Sequence, residues 1–313
     1  MVIGFDMPCY SPLQAWRSRQ INPSGKRGIV FNPEQALAPD DPMDIACGQC
    51  IGCRLERSRQ WAVRCVHEAS LYEDNCFITL TFDEENLKKR ENPLSIDVSD
   101  FQKFMKRLRK RYGKGIRFFH CGEYGDLYGR PHYHACLFNH DFDDRRLYSV
   151  RDDVRLYTSK SLQELWPFGF SSVGDVTFDS AAYVARYIMK KINGENAWHH
   201  YSEIDFDTGE IINQRKPEYT TMSRRPGIGK GWYDKFKNDL YPHDRVYCNG
   251  ALMNVPKFYD KQLEKENPYQ LEDLKLQRLE VAKKYADDNT PERLRVKERI
   301  KQRKLNQLPR NLG

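Results

Sequence analysis

The chain has 313 residues, of which 39% are hydrophobic, and its 51 basic and 44 acidic side chains give a formal net charge of +7. Its length and apolar content are adequate for one large domain or two smaller ones, and no stretch approaches the roughly twenty consecutive apolar residues of a membrane helix. The moderate basic excess favours nucleic acid as the partner, with a merely solvated surface as the alternative.

The N-terminal segment predicts an irregular arm. Residues 10–46 are rich in Pro, Asn, Gly and Asp and show little periodicity, which is typical of extended, unpacked structure. The first residues also lack a charged leader followed by an apolar run. We therefore expect no membrane association and a location in the cytosol.

A cysteine cluster follows the arm. The chain has nine cysteines, an odd number, and Cys47, Cys50 and Cys53 are too closely spaced for an ordinary disulfide framework. Three thiolates at this spacing are typical of Zn²⁺ ligands, and Cys9 is the candidate for a fourth. Cys65 and His67 remain alternatives for the fourth ligand. Without a second Cys-x-x-Cys pair, simply reduced or buried cysteines are an equally good interpretation.

A basic amphipathic helix is predicted over Leu55–Tyr72, because apolar residues recur there at helical spacing with arginines between them. Arg57 and Arg64 are candidates for DNA contact. The alternative is a solvated basic face over an apolar stripe.

Four further elements are predicted by their periodicity between residues 77 and 138. In chain order they are a strand over Phe77–Phe82, a helix over Asp100–Tyr112 that stops at Gly113, a strand over Arg117–Cys121 and a strand over His132–Phe138. The last two strands flank a glycine-containing connection and should pair antiparallel. The order of elements predicts an α+β fold with helices packed on an antiparallel sheet.

A paired-histidine metal site is predicted on the last of these strands. His132 and His134 are two residues apart and therefore share one face of the strand, while Tyr133 points to the other. Antiparallel pairing would bring Glu123 beside them, with Asp126 as a weaker candidate. Imidazole and carboxylate ligands suit Mn²⁺, or Mg²⁺ with added waters. Two half-buried histidines without a metal are the alternative.

Two tyrosines fall on one face of a predicted helix some fifty residues later. Tyr183, Tyr187 and Lys191 are spaced at i, i+4 and i+8. A phenol can attack a phosphodiester whose charge is neutralised, leaving a phosphotyrosine and a 3′-hydroxyl. Lys191, or less favourably Lys190, would stabilise the developing charge. The alternative is a helix that packs its tyrosines against the sheet.

Two later regions carry basic residues without a catalytic motif. Residues 223–231 superficially resemble a phosphate loop but lack its Gly-Lys-Ser/Thr ending, so we predict no ATPase activity. Arg224, Arg225 and Lys230 would instead contact a DNA backbone, or form a solvated turn. Highly charged residues 257–313 predict a helical appendage with a helix that starts at Thr290.

Together these motifs resemble those of rolling-circle replication initiators, the HUH endonucleases named for their histidine, hydrophobic, histidine signature. The resemblance rests on Phe77–Phe82, Gly122–Gly125, Arg130–His134 and the double tyrosine of residues 183–191. Cys47–Arg59 further resembles the initiators of gokushoviruses within the Microviridae. The likeness spans roughly residues 7 to 235.

The resemblance implies a fold, a set of site residues and an activity. The sheet would carry the histidine pair centrally with the tyrosine helix alongside, within an endonuclease domain at 55–256 between the arm (1–54) and the appendage (257–313). The implied roles are metal ligands for His132, His134 and, less securely, Glu123, nucleophiles for Tyr183 and Tyr187, and a helper for Lys191.

The implied function is metal-dependent nicking of origin DNA in a host bacterial cytoplasm, with later strand transfer and rejoining. The partners would be single-stranded and origin duplex DNA, a host helicase and a host polymerase, since no helicase motor is present in the sequence. A transposase or relaxase with the same chemistry, or a non-catalytic DNA-binding protein, are the alternatives.

Overall fold

The structure is a computed structural model that describes residues 9–125, 128–151, 154–186, 196–205 and 207–307. Within these ranges, no helix combines the length and apolar character that crossing a bilayer would require. Asp126, Tyr187, Lys190 and Lys191 lie outside the described residues.

Strands and helices occur along the whole described chain. The strands are β1 (Leu13–Ile21), β2 (Arg27–Val30), β3 (Met43–Ile45), β4 (Asn75–Thr81), β5 (Arg117–Tyr124), β6 (Pro131–Phe138), β7 (Arg146–Arg151), β8 (Val154–Thr158), β9 (Ser171–Gly174), β10 (Ser202–Ile204), β11 (Ile211–Gln214), β12 (Tyr219–Met222), β13 (Arg245–Cys248) and β14 (Ala251–Asn254). The helices are α1 (Ile51–Ala69), α2 (Glu84–Lys88), α3 (Val98–Tyr112), α4 (Lys160–Leu165), α5 (Phe178–Arg186), α6 (Asn196–Tyr201), α7 (Lys230–Leu240), α8 (Lys257–Glu266), α9 (Pro268–Lys283) and α10 (Pro291–Asn306).

The chain divides into two compact units. One combines the N-terminal segment up to Arg57 with the segment that starts at Asn267, and the other runs from Ser58 to Glu266. The predicted domain limits at 54/55 and 256/257 stay a prediction.

The first unit contains a small antiparallel sheet of order β2-β1-β3. The prediction of an irregular arm over residues 10–46 is therefore wrong. These strands are short and bury few side chains, chiefly Ala15 and Trp16, so hydrophobic periodicity hardly marks them. The Trp16 indole N–H donates to the Pro39 carbonyl at 2.7 Å, and this bond ties the connection between β2 and β3 to the sheet.

The same unit contains the long helices α9 and α10. The Thr290 side chain accepts a hydrogen bond from the Arg293 amide at 3.4 Å, and Pro291 occupies the first turn, so the predicted start of α10 is confirmed. Helix α9 begins in the same way, with Asn267 as its cap and Pro268 following.

The second unit is built on a seven-stranded sheet of order β12-β5-β6-β4-β9-β8-β7. The paired strands run antiparallel, and β5, β6 and β4 lie side by side near its middle. The predicted combination of helices with an antiparallel sheet is thus confirmed. Its identity as an HUH-type sheet stays a prediction.

One face of this sheet packs against α3 and α4. Alternation along β4 and β6 sends Ile78, Leu80 and Tyr133 to this side, where all three are fully buried. The Tyr133 hydroxyl donates to the Asp100 carboxylate at 2.6 Å, which satisfies its polar end inside the core. The expectation that Tyr133 points into the core is confirmed.

The opposite face is covered by α1 and α5. Ala62 and Cys65 of α1 and Ala181 and Val184 of α5 are fully buried there. The small alanines let both helices approach the strands closely. Because this cover consists of α1 and α5, residues at the ends of β5 and β6 on this face lie next to α5.

Three histidines of the second unit are buried as neutral rings. His67 stacks on Trp232 with ring centroids 3.5 Å apart, and His120 stacks on Phe101 at the same distance. Burial lowers the pKa of His67 to about 3 and lowers the pKa values of His120 and His140 below their usual range. Protonating any of them in the folded state is therefore costly.

We expect the free energy of unfolding to fall as pH drops below about 6.5. In that range the unfolded chain protonates these imidazoles while the folded chain does not, so each contributes up to about 1.4 kcal/mol per pH unit in favour of unfolding. Urea denaturation at pH 7.5, 6.5 and 5.5 measures the slope. His67→Gln should reduce it, and a slope identical in both proteins would contradict the assignment for His67.

Candidate active site and cysteine cluster

Strand register brings the two histidines and the acidic candidate to one place. Glu123 on β5 is directly opposite His132 on β6. On the other side of β6, Thr79 of β4 is opposite His134, and Thr81 is opposite His132. Directly opposed residues point to the same face of a sheet, so these side chains share the face that α5 covers.

His134 is the centre of this group. Its Nε2 lies 2.7 Å from Glu123 Oε1, and its Nδ1 lies 2.9 Å from the Thr79 hydroxyl. Since the carboxylate can only accept, the imidazole donates through Nε2 and accepts from Thr79 at Nδ1. Both His134 and Glu123 are buried, at 5% and 4% exposure, so this bond is shielded from water.

His132 is held by the backbone of the preceding turn. Its Nδ1–H donates to the Arg130 carbonyl at 2.8 Å, which leaves Nε2 with the lone pair that a metal ion would use. The His132 and His134 rings are nearly parallel, at 11°, with centroids 6.5 Å apart.

The donor set fits a divalent cation. Two imidazoles and one carboxylate are ligands that Mn²⁺ accepts, with positions left for phosphate oxygens. Each ring already has an oxygen partner at Nδ1, the arrangement that orients metal-binding histidines in proteins. A cation would take the place of the proton between His134 and Glu123.

Tyr183 lies against His134. The two rings meet edge to face, at 87°, with centroids 5.1 Å apart, and Phe77 forms a further edge contact to Tyr183 at 6.4 Å. Tyr183 is only half-buried, and the Arg186 guanidinium lies 5.7 Å above its ring. One predicted nucleophile is thus adjacent to a predicted metal ligand, beside a positive charge.

Helix α5, which carries Tyr183, is fixed at both its start and its side. Thr177 and Ser180 exchange hydrogen bonds at the first turn, with the Ser180 amide donating to Thr177 Oγ1 at 3.1 Å and the Thr177 amide to Ser180 Oγ at 2.8 Å. On its side, the Ser58 hydroxyl of α1 donates to the Ala182 carbonyl at 2.9 Å. The position of Tyr183 over the sheet is thereby set by both helices.

Sequence reasoning missed three contributors to this site. Thr79 is in the predicted strand Phe77–Phe82, and period-two alternation alone would have placed it on the face of His134 once the strand order was known. The Arg130 carbonyl leaves no side-chain signal at all. Arg186 precedes Tyr187 in the predicted helix, and no motif distinguishes it from the other arginines of the chain.

The four candidate zinc ligands come together in the first unit. The sulfur atoms of Cys9, Cys47, Cys50 and Cys53 all lie within 4.8 Å of one another, and this group is able to hold a metal ion. The two alternative ligands lie elsewhere: Cys65 is buried under α1, and His67 Nδ1 is 2.9 Å from the Tyr259 hydroxyl.

The predicted DNA-binding residues have different environments. Arg224 and Arg225 are exposed. Lys230 pairs with Asp234, and Arg57 donates to the Gly48 carbonyl at 3.3 Å. Arg64 is used inside the fold, where its guanidinium is sandwiched between the Trp61 and Phe258 rings, 3.9 and 3.8 Å from their centroids, and burial lowers its pKa to about 10. These contacts point to a structural role for Arg64 and disfavour DNA contact.

Comparison with known proteins agrees on one class. The family model for the replication-associated protein ORF2 matches residues 75–192, which span β4 to the tyrosine segment. Replication-associated protein VP4 of Bdellovibrio phage phiMH2K is 32% identical over 272 residues, covering 84% of this chain and 79% of VP4. Replication-associated protein ORF2 of Spiroplasma virus 4 is 32% identical over 253 residues, covering 77% of this chain and 74% of that protein.

A third relative, replication-associated protein ORF4 of Chlamydia phage 1, is 29% identical over 231 residues, covering 71% of this chain and 54% of ORF4. No solved structure matches the chain. Two of these relatives exceed 30% identity, and each match extends over most of both chains. The chain therefore belongs to the family of Microviridae-like phage replication-associated proteins.

Proposed function

We propose that this protein initiates rolling-circle replication of a phage genome by nicking origin DNA through a tyrosine. A divalent cation held by His132, His134 and Glu123 would assist the reaction. The observation that carries the proposal is the edge contact of the Tyr183 ring on His134, whose Nε2 in turn bonds to Glu123. A nucleophile next to candidate metal ligands is the arrangement that phosphodiester transfer requires.

The relatives supply the biological setting. Three phage proteins that resemble this chain are named replication-associated, and the matching family model has the same description. A role in starting phage DNA replication is the simplest one for such a protein. The chemistry proposed for it rests on the site itself.

The reaction is a transesterification. The Tyr183 or Tyr187 oxygen attacks the phosphorus, the bond to the 3′-oxygen breaks, and that oxygen takes up a proton to become the primer for a host polymerase. The 5′-phosphate stays on the tyrosine, so the energy of the broken bond is retained. When bound, the cation neutralises the phosphate oxygens as charge builds up on them.

The remaining site residues orient these groups. Glu123 and Thr79 fix the His134 ring from opposite edges, and the Arg130 carbonyl fixes His132. The Arg186 guanidinium beside Tyr183 would favour the phenolate. Lys191 remains the proposed helper, and the second tyrosine would attack the regenerated junction to transfer and rejoin the strand.

DNA binding and unwinding involve further groups. Exposed Arg224 and Arg225 are the best placed of the predicted DNA-binding residues, since neither guanidinium is buried. We propose Mn²⁺ or Mg²⁺ as the active-site ion, and a host helicase as the source of single strands.

An assay with circular single-stranded DNA carrying the phage origin distinguishes the candidates. With Mn²⁺, an initiator converts the circle to a linear strand bound covalently to protein, whereas a non-catalytic binding protein only retards the circle in a gel. A transposase or relaxase would also cut, but at its own recognition sequence and not at the phage origin. Uncut circles over a range of Mn²⁺ and Mg²⁺ concentrations would overturn the proposal.

We expect Gly125→Ala to reduce nicking about 10- to 100-fold with little loss of stability. A Cβ at residue 125 would lie 2.8 Å from His132 Cε1 and 3.2 Å from its Nδ1, so the ring must move away from its present position. Initial rates of circle cleavage measure the effect, and thermal melting checks the fold. As a control, Gly28→Ala adds a Cβ with only one ordinary contact, at 3.6 Å. Unchanged nicking by Gly125→Ala would mean that the position of His132 does not matter.

A further inference from the structure

The cysteine cluster is distinct from the proposed nicking site, because none of its residues contributes to the group around His134. Cys9 and Cys53 are buried, while Cys47 and Cys50 are half-buried. All four side chains are thiols and not disulfides. Four thiols enclosed together have no role in the proposed nicking reaction and need an explanation of their own.

Backbone amides surround the sulfur atoms. Cys47 Sγ accepts hydrogen bonds from the amides of Gln49 and Cys50, at 3.4 and 3.3 Å. Cys9 Sγ accepts from the Cys47 amide, and Cys50 Sγ from the Tyr10 amide, both at 3.3 Å. A neutral thiol is a weak acceptor, whereas a thiolate is a strong one, so this arrangement suits ionised sulfur.

Two further features stabilise negative charge here. Gly48 has a φ of +74°, which allows the chain to turn tightly between Cys47 and Cys50 so that the amides face back to the sulfur. Cys53 lies in the first turn of α1, where helix amides and the helix dipole favour anions. Burial alone would raise the pKa of the Cys50 thiol, but the bonds it accepts, first from the Cys53 amide and then from the Tyr10 amide, lower it to about 7.

The spacing of the sulfur atoms matches one tetrahedral ion. Zinc bound to four thiolates at about 2.3 Å gives sulfur–sulfur separations of about 3.8 Å. Cys47 Sγ and Cys53 Sγ are 4.0 Å apart, and all four sulfur atoms lie within 4.8 Å of one another. Disulfides would instead join them in pairs at about 2.0 Å. Four thiolates this close repel one another unless a cation lies between them.

We propose that Cys9, Cys47, Cys50 and Cys53 bind one structural Zn²⁺. Strand pairing explains how the distant ligand arrives: Leu13 of β1 is opposite Ile45 of β3, so the residues before β1 run beside those after β3. The ion would close this small sheet onto the first turn of α1. It would thereby stabilise a unit whose strands bury few apolar side chains.

Elemental analysis of the full-length protein, purified without chelator, tests the proposal. We expect one zinc per chain, and Cys50→Ser or Cys9→Ser should reduce that to nearly none. Cys248→Ser, which removes a buried thiol outside the cluster, should retain one zinc. His134→Ala should also retain it, so failure of this inference and failure of the proposed nicking site are distinguishable.

Cobalt substitution gives a second measurement that does not depend on variants that fold. Co²⁺ in place of zinc in the unaltered protein should give thiolate-to-cobalt charge-transfer absorption and the visible bands of a tetrahedral site. A protein that contains no zinc and gives no such absorption with Co²⁺ overturns the proposal. So does a folded Cys50→Ser protein that still holds one zinc.

Discussion

Replacing both Tyr183 and Tyr187 with phenylalanine is expected to abolish the covalent protein–DNA product. Phenylalanine preserves the ring that packs edge-on against His134 but removes the only atom able to attack phosphorus. The double variant should therefore fold and bind single-stranded DNA like the unaltered protein. Denaturing gel electrophoresis with labelled DNA detects the product.

The single variants show which tyrosine performs which step. If either phenol can attack first, Tyr183→Phe and Tyr187→Phe each retain cleavage but lose rejoining. Tyr157→Phe is a matched control, since that ring packs at the other core cluster of the same unit. A covalent product from the double variant would exclude both tyrosines as nucleophiles.

Replacing His134 with alanine should reduce nicking by roughly 100- to 1,000-fold, because one electrostatic stabiliser of the transition state is lost. The same change leaves the Glu123 carboxylate buried without its imidazole donor, so a moderate loss of stability, about 1–3 kcal/mol, is also expected. Single-turnover rates at saturating DNA, with Mn²⁺ varied, separate weaker metal binding from slower chemistry.

Thr79→Val provides the matched test of orientation. Valine has nearly the shape of threonine but cannot bond to His134 Nδ1. We expect a 10- to 100-fold loss of nicking that is partly restored by higher Mn²⁺, since the hydrogen-bond partner of a metal-binding histidine tunes metal affinity. Thr81→Val is the control, because the Thr81 hydroxyl donates to the Phe170 carbonyl and not to a histidine. Normal nicking by both His134→Ala and Thr79→Val would contradict the proposed metal site.

The sequence was sufficient where periodicity and spacing carry the information. Alternation along residues 132–138 indicated which side chains share a face, and the glycine-containing connection indicated the antiparallel pair of β5 and β6. Glu123 was thereby expected beside His132, and the two are directly opposite. The cysteine spacing likewise indicated a cluster, although only the structure shows that Cys9 joins it.

The parts that sequence did not predict depend on long-range contacts. β1, β2 and β3 bury too few side chains to produce a periodic signal, and β12 joins the edge of the sheet beside β5 from nearly a hundred residues away. Arg64 resembled a DNA-binding residue because local patterns cannot reveal that Trp61 and Phe258 enclose it. Such contacts are set by tertiary packing, which residue spacing does not encode.

The most direct test of the account is to identify the amino acid that becomes linked to DNA. Trypsin separates the two candidates, because Tyr183 falls in the peptide 161–186 and Tyr187 in the peptide 187–190. After reaction with origin DNA and Mn²⁺ and digestion of the DNA, mass spectrometry should find a 5′-linked nucleotide on one or both of these peptides. A nucleotide on any other peptide, or none at all, would contradict the proposal that a tyrosine beside the histidine pair cuts the DNA.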